Sequence, residues 1–178
     1  GGRMATTRLG LETFDDGAQY VTCRTSEFRA YIEELVGIGY AARWTPRSRL
    51  HGEEGGGQLL PWFVGKPGMA SLVRPLAESV RIHTARNVHT IERHDKGWHI
   101  WFEDQTSVGP FNAVAVCVPA PKARLLLGRL DELAQPLARV RMTPCWALMV
   151  RLEDRVLPDQ DVYSDMSEVI RWIARNNT

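Results

Sequence analysis

The sequence predicts an α+β protein, and three observations carry that expectation. Residues 88–109 alternate apolar and polar side chains across two turn signals, the pattern of an antiparallel meander. Residues 26–37 instead repeat apolar side chains at helical spacing. Two further runs, 113–118 and 145–152, are apolar over strand length, which fits strands buried on both faces.

In chain order, 9–14 is short and mixed, and Asp15-Asp16-Gly17 reads as a turn. Gln19 to Thr22 has strand-forming residues. Ser26 is the expected N-cap of a helix in which Phe28, Ile32, Leu35 and Val36 repeat at helical spacing, and Gly37 and Gly39 stop it. Its Glu33-Glu34 pair suits a solvated face. Ala41 to Trp44 reads as a short strand and 45–57 as a surface loop. The Gly55-Gly56-Gly57 triplet in that loop is not a phosphate loop, because no Gly-Lys-Ser/Thr and no helix follow it. Residues 58–64 read as a strand that Pro61 consigns to an edge or a bulge. Gly65 to Met69 is a tight turn into a helix with the stripe Met69, Leu72, Val73 and Leu76, kinked or shortened by Pro75.

A strand is expected at 80–84, then the meander, with Lys96-Gly97 and Glu103 to Gln105 as turns and His83, His89 and His99 at exposed positions. The buried run 113–118 ends in Pro119-Ala120-Pro121 and opens a helix through Leu125, Leu126 and Leu127. The C-terminal end of such a strand is where α/β folds place ligands. A further helical piece covers 131–140, with Asp131 as N-cap and Pro136 as a break. The tail from Val162 to Ala174 is mixed.

Totals narrow the function. With Lys+Arg 22 against Asp+Glu 21, the 178-residue chain has no basic field for nucleic acid. No apolar run reaches membrane-spanning length. The three cysteines, Cys23, Cys117 and Cys145, are odd in number and widely spaced, which suits a reducing, cytoplasmic setting rather than a disulfide framework. Cys117 and Cys145, within apolar runs, read as inert core thiols. No Cys-x-x-Cys and no pair of histidines at i, i+4 exists, so no metal site is expected.

Seven segments fall in a recognisable order. They are Gly-Gly-Arg-Met-Ala-Thr at 1–6, Asp-Gly-Ala-Gln-Tyr at 16–20 and Val-Gly-Lys-Pro-Gly-Met at 64–69. Then come Asn-Val-His-Thr-Ile-Glu-Arg at 87–93, Ala-Val-Cys-Val-Pro-Ala-Pro at 115–121, Pro-Cys-Trp-Ala at 144–147 and Trp-Ile-Ala-Arg-Asn-Asn at 172–177. In this the chain resembles the flavin-containing amine oxidase superfamily, and more closely its renalase-like bacterial branch. The resemblance implies a two-domain FAD-dependent oxidoreductase fold, with an antiparallel-sheet substrate domain inserted in a Rossmann-type FAD domain. It assigns 1–25 and 80–128 to the FAD domain, and 26–79 and 129–178 to the substrate domain.

The resemblance also implies site residues. Gly1, Gly2, Arg3 and Met4 would lie along the FAD ribose and pyrophosphate, and Gly17, Ala18, Gln19 and Tyr20 near the flavin ring. Val88 would meet the adenine, and Val118 and Pro119 would pass near the cofactor. Tyr20, Trp62 and Met69 would line the pocket of a small-molecule substrate, a dihydronicotinamide or an amine, whose hydride passes to FAD and then to oxygen. The sequence has no Gly-x-Gly-x-x-Gly after a strand, an element the family places ahead of its Gly-Gly-Arg loop. The chain therefore reads as the middle of a longer enzyme, with an incomplete Rossmann-type FAD domain. An exposed sheet edge beside 113–118 would favour a homodimer or a domain swap. The alternative is a catalytically inactive α+β fragment, or a small-molecule-binding or interaction module without bound flavin.

Overall fold

The computed structural model describes residues 2–49, 60–154, 156 and 159–175. The glycine triplet at 55–57, Gly1, and the beginning of the strand expected at 58–64 lie outside these. The chain divides into two compact units, one of residues 1–81 with 147–178 and one of residues 82–146.

The first unit opens with a 3-10 turn at Gly2–Met4 and a hairpin, β1 (Thr7–Leu9) with β2 (Glu12–Phe14), paired Thr7 to Phe14 and Leu9 to Glu12. The hairpin has no clear alternation in the sequence. Gly10 makes it, adopting φ +63° in the two-residue connection. Asp15, in the segment read as a turn, is buried, at 6% exposure.

After β3 (Val21–Thr22) comes α1 (Ser26–Gly37), the helix that the apolar stripe predicts. Its N-cap is Thr25 rather than Ser26: the Phe28 N–H donates to Thr25 Oγ1 at 3.2 Å. Gly39, at φ +83°, turns the chain out of the helix as expected. β4 (Ala41–Trp44) and β6 (Trp62–Gly65) follow, separated by the two-residue β5 (Ser48–Arg49). The sheet order is β3-β6-β4, antiparallel, so β6 is central and not an edge. Pro61 is compatible with this because it precedes the first paired residue and removes no ladder hydrogen bond.

Ile32 and Leu35 of α1 pack with Phe63, Val64, Ala41, Cys23, Met69 and Leu72 into the core of this unit. After Gly68 the chain makes a 3-10 turn, Met69–Val73, and then the short α2 (Arg74–Glu78), with Pro75 in its first turn where a missing N–H costs nothing. The unit is completed by β10 (Val162–Ser164) and β11 (Trp172–Ala174), in a sheet ordered β11-β10-β5. β10 and β5 run parallel there, and Asp161 secures the join: it accepts from the Arg47 backbone N–H and guanidinium and pairs with Arg175 at 3.4 Å.

The second unit contains the expected meander, β7 (Val88–His94), β8 (Gly97–Phe102) and β9 (Ser107–Phe111), antiparallel throughout. His83 and His89 are exposed as expected, while His99 is half-buried. α3 (Ala120–Leu126) with its C-cap Leu127, and α4 (Asp131–Leu137), give Leu126, Leu127 and Ala134 to a core around Ile91. Asp131 is not the cap of α4; Leu130 occupies that position, and Pro136 lies in the last turn.

Three expected strands do not form. Residues 80–84, 113–118 and 145–152 have no strand assignment. A strand needs a hydrogen-bonded neighbour, and a strand buried on both faces needs layers above and below. Among the described residues these runs have neither. Val114 and Val116 are half-buried, Val80 and Ile82 are exposed, and Trp146 and Leu148 are 96% and 89% exposed. Cys117 and Cys145 are therefore exposed thiols and not core residues, whereas Cys23 is buried. The observed architecture is α+β with small, mainly antiparallel sheets.

Candidate functional site

The first unit brings together segments that are remote in sequence. The backbone of Arg3 meets the 17–20 turn, where the Ala18 N–H donates to the Arg3 carbonyl at 2.7 Å. A Cβ on Gly17 would run into that carbonyl, so the approach requires glycine. Asp15 joins a third segment. It accepts from Thr6 Oγ1 at 2.6 Å and from the Met69 N–H at 2.9 Å, while Gly68 packs against Thr6 with no room for a side chain. One buried carboxylate thus ties the 2–6, 15–20 and 64–69 segments into one body.

Beside this junction lies an aromatic cluster. Tyr20, from the end of the turn, stacks on Trp62 of β6, with centroids 3.7 Å apart and planes 5° from parallel. Trp44 of β4 stands edge-on to both, at 6.3 and 5.5 Å. Trp172 of β11 leans against Tyr20 at 5.8 Å and Trp62 at 6.1 Å. The Trp172 indole N–H donates to Gln19 Oε1. All four rings are half-buried, so the cluster keeps an open side. The apolar faces of such rings hold planar groups, and their negative quadrupole favours cations.

Of the expected site residues, Gly1 lies outside the described residues and the structure places the others. Gly2 and Arg3 are exposed and Met4 is half-buried, in the loop against Gly17. Gly17 is exposed, and Ala18, Gln19 and Tyr20 are half-buried in the turn. Trp62 stands in the aromatic cluster. Met69 is different. At 0% exposure, with its sulfur 3.2 Å from the Gly65 backbone nitrogen, it is a core residue whose side chain reaches no open pocket. Val88, Val118 and Pro119 belong to the second unit. There Val88 packs against the core cluster that holds Ile91, and Pro119 precedes α3. Val118 lines an apolar cavity of about 380 Å³ with Ile91, Trp98, Val114 and Val116 among its walls.

Trp44, Trp172 and Asp15 are absent from the set of expected site residues. Trp172 lies in a motif that carried the resemblance but had no role attached to it. Trp44 and Asp15 left no signal, because their neighbours come from other strands and turns.

A family model described as flavin containing amine oxidoreductase matches residues 38–177. The chain belongs to this family. Flavin-dependent oxidoreductase activity is what the family implies in general, and FAD is its cofactor. The residues present suit that cofactor in one respect that the sequence alone does not reveal. Asp16 Oδ1, next to the Arg3–Ala18 contact, is buried without a hydrogen-bond partner among the described residues. A buried acceptor needs a donor, and FAD carries ribitol and ribose hydroxyls and an imide N–H. Arg3, exposed, is free to meet a phosphate. No group of three or more metal-ligating side chains occurs among the described residues.

Proposed function

We propose that this amine oxidoreductase acts on a small, planar or cationic substrate of the dihydronicotinamide or amine type, and that the aromatic cluster of the first unit faces it. The chemistry proposed is hydride transfer from substrate to FAD, with oxygen as the electron acceptor. The observation that supports this best is the convergence at one place of the 2–4 loop, the 17–20 turn and four aromatic rings from Tyr20, Trp44, Trp62 and Trp172. On this reading the loop and turn hold the cofactor, with Asp16 accepting from a hydroxyl or the imide. The half-buried rings orient the substrate and exclude water. No strong general base is required for hydride transfer, which agrees with a cluster built of neutral rings.

The finer features of the reading are the renalase-like preference for a dihydronicotinamide and a cytoplasmic setting. Residues 80–128 are proposed to be part of a Rossmann-type FAD domain. No helix among the described residues is long and apolar enough to cross a membrane.

Titration with FAD tests the proposal. At a ligand concentration of 100 Kd, one-site binding to the native state adds about 2.7 kcal/mol of stability, read as a rise in Tm. An unchanged Tm at millimolar FAD, with no flavin retained on gel filtration, would overturn it. A second reading draws on the apolar cavity of residues 82–146. There the chain acts as a small-molecule-binding module without flavin. An apolar dye displaced by neither FAD nor its fragments, in a protein that binds no flavin, would favour that reading.

A further inference from the structure

The hydrogen bond between Trp172 and Gln19 joins residues 153 positions apart in the chain. It has a consequence for what the 17–20 turn can recognise. An indole nitrogen is a donor only. The atom of the Gln19 amide that meets it must therefore be the oxygen, whatever the orientation of the amide would otherwise be. With Oε1 engaged, the free end of the Gln19 side chain is its NH2 group. That group has no partner among the described residues, and Gln19 is half-buried in the turn beside the aromatic rings.

Trp172 is itself held firmly. β11 pairs with β10 through Ser164 opposite Trp172 and Val162 opposite Ala174. The Arg175 N–H donates to the Asp161 carbonyl at 2.9 Å, and the Asp161 carboxylate binds both Arg47 and Arg175. The indole ring leans on Tyr20 and Trp62, which fixes the plane from which its N–H projects.

We propose that Trp172 is a positioning residue that sets the polarity of Gln19, so that the turn presents two N–H donors and recognises a hydrogen-bond acceptor on a planar ring. The acceptor is a carbonyl oxygen or ring nitrogen. It belongs either to the dione edge of the flavin or to a carboxamide of the substrate. This inference rests on the reading of 17–20 as a ligand-facing turn.

The test compares the full chain with Gln19→Glu and Trp172→Phe. Gln19→Glu keeps an oxygen for the indole and replaces the donors by an acceptor. Trp172→Phe keeps a stacking ring and removes the N–H. Each protein is titrated with FAD, and separately with 1-methylnicotinamide and 1-methylpyridinium, cations that differ by the carboxamide alone. Taking the ratio of the two cation affinities cancels the charge that Gln19→Glu introduces.

If the acceptor is on the substrate, the wild-type chain prefers 1-methylnicotinamide by about fivefold, the worth of one net hydrogen bond, and Gln19→Glu brings the ratio to about one. If it is on the cofactor, Gln19→Glu weakens FAD binding about tenfold and shifts the flavin absorption band. In either case Trp172→Phe moves the same quantity in the same direction with Tm nearly unchanged. A lower Tm with wild-type selectivity would reduce Trp172 to a packing residue and overturn its positioning role. The inference also fails if Gln19→Glu leaves both FAD affinity and the cation ratio within about twofold of wild type. Because the cation comparison needs no flavin, a wild-type chain that binds no FAD but keeps its carboxamide preference would sink the oxidoreductase reading and leave this inference standing.

Discussion

Asp15 illustrates how a single buried group organises the site. A carboxylate in a low-dielectric place must be satisfied, and here Thr6 Oγ1 and the Met69 N–H do so. Asp15→Ala removes the acceptor and strands a buried N–H. A loss of about 2–4 kcal/mol is expected, to be measured by urea denaturation, with Asp15→Asn falling between the two. Gly17 makes an equally sharp test. Gly17→Ala drives a methyl group into the Arg3 carbonyl, a backbone atom that cannot swing aside. The 2–4 loop should detach from the turn, seen as faster hydrogen exchange at Ala18 and, if the loop serves FAD, as weaker flavin binding.

The thiols divide in the same residue-by-residue way. Burial pushes the Cys23 thiol above its ordinary pKa, with smaller effects of Arg29, which lowers it, and Glu33, which raises it. Cys117 and Cys145 are exposed. Iodoacetamide on the native protein should therefore modify two cysteines within minutes and Cys23 only after unfolding, as read by mass spectrometry of peptides. Early modification of Cys23 would contradict the packing described for α1 and β6.

At the scale of elements, α1 is the one whose sequence and structure agree most closely, because an amphipathic stripe and terminal capping are local signals. Thr25→Ala should cost about 1 kcal/mol, whereas Ser26→Ala should cost far less, since Thr25 and not Ser26 accepts the Phe28 N–H. The β11-β10-β5 sheet depends instead on a side chain. The Asp161 carboxyl is held well below the usual carboxylate range, first by its hydrogen bonds to the Arg47 side chain and backbone and then by the charges of Arg47 and Arg175.

A depressed folded-state pKa stabilises the protein above the unfolded carboxylate's pKa, and the contribution is lost as pH falls toward the folded value. The sheet should therefore be intact from neutral pH down to about pH 4 and weaken below it. Asp161→Asn should remove that acid-side slope. Hydrogen exchange of the backbone amides of Val162–Ser164 and Trp172–Ala174 is the signal to follow.

At the scale of the molecule, the residues that form no sheet are as informative as those that do. Trp146, Leu148 and Val150 expose apolar surface along a run of strand-forming length. Surfaces of this kind seek partners. Concentration-dependent self-association is the expected behaviour, visible as earlier elution in size exclusion at higher loading. Trp146→Glu with Leu148→Lys should suppress it. A monomer at every concentration would show that this surface is tolerated as it stands.

Helix α1, the short strand β4 and the meander β7-β8-β9 were legible because each is defined by the spacing of its own residues and by the turns beside it. The family could also be recognised, through short segments in a fixed order. The partners could not. Residues 80–84, 113–118 and 145–152 pair with no strand among the described residues, and an apolar run carries no record of its neighbour. Likewise, the sequence carried a turn signal at Asp15 to Gly17 and strand-forming residues from Gln19 to Thr22. Only the tertiary structure decided that Trp172 would reach Gln19, that Asp15 would be buried, and that Met69 would be core. Hydrogen bonds and ring stacking act over a few ångströms in space, whatever the distance along the chain.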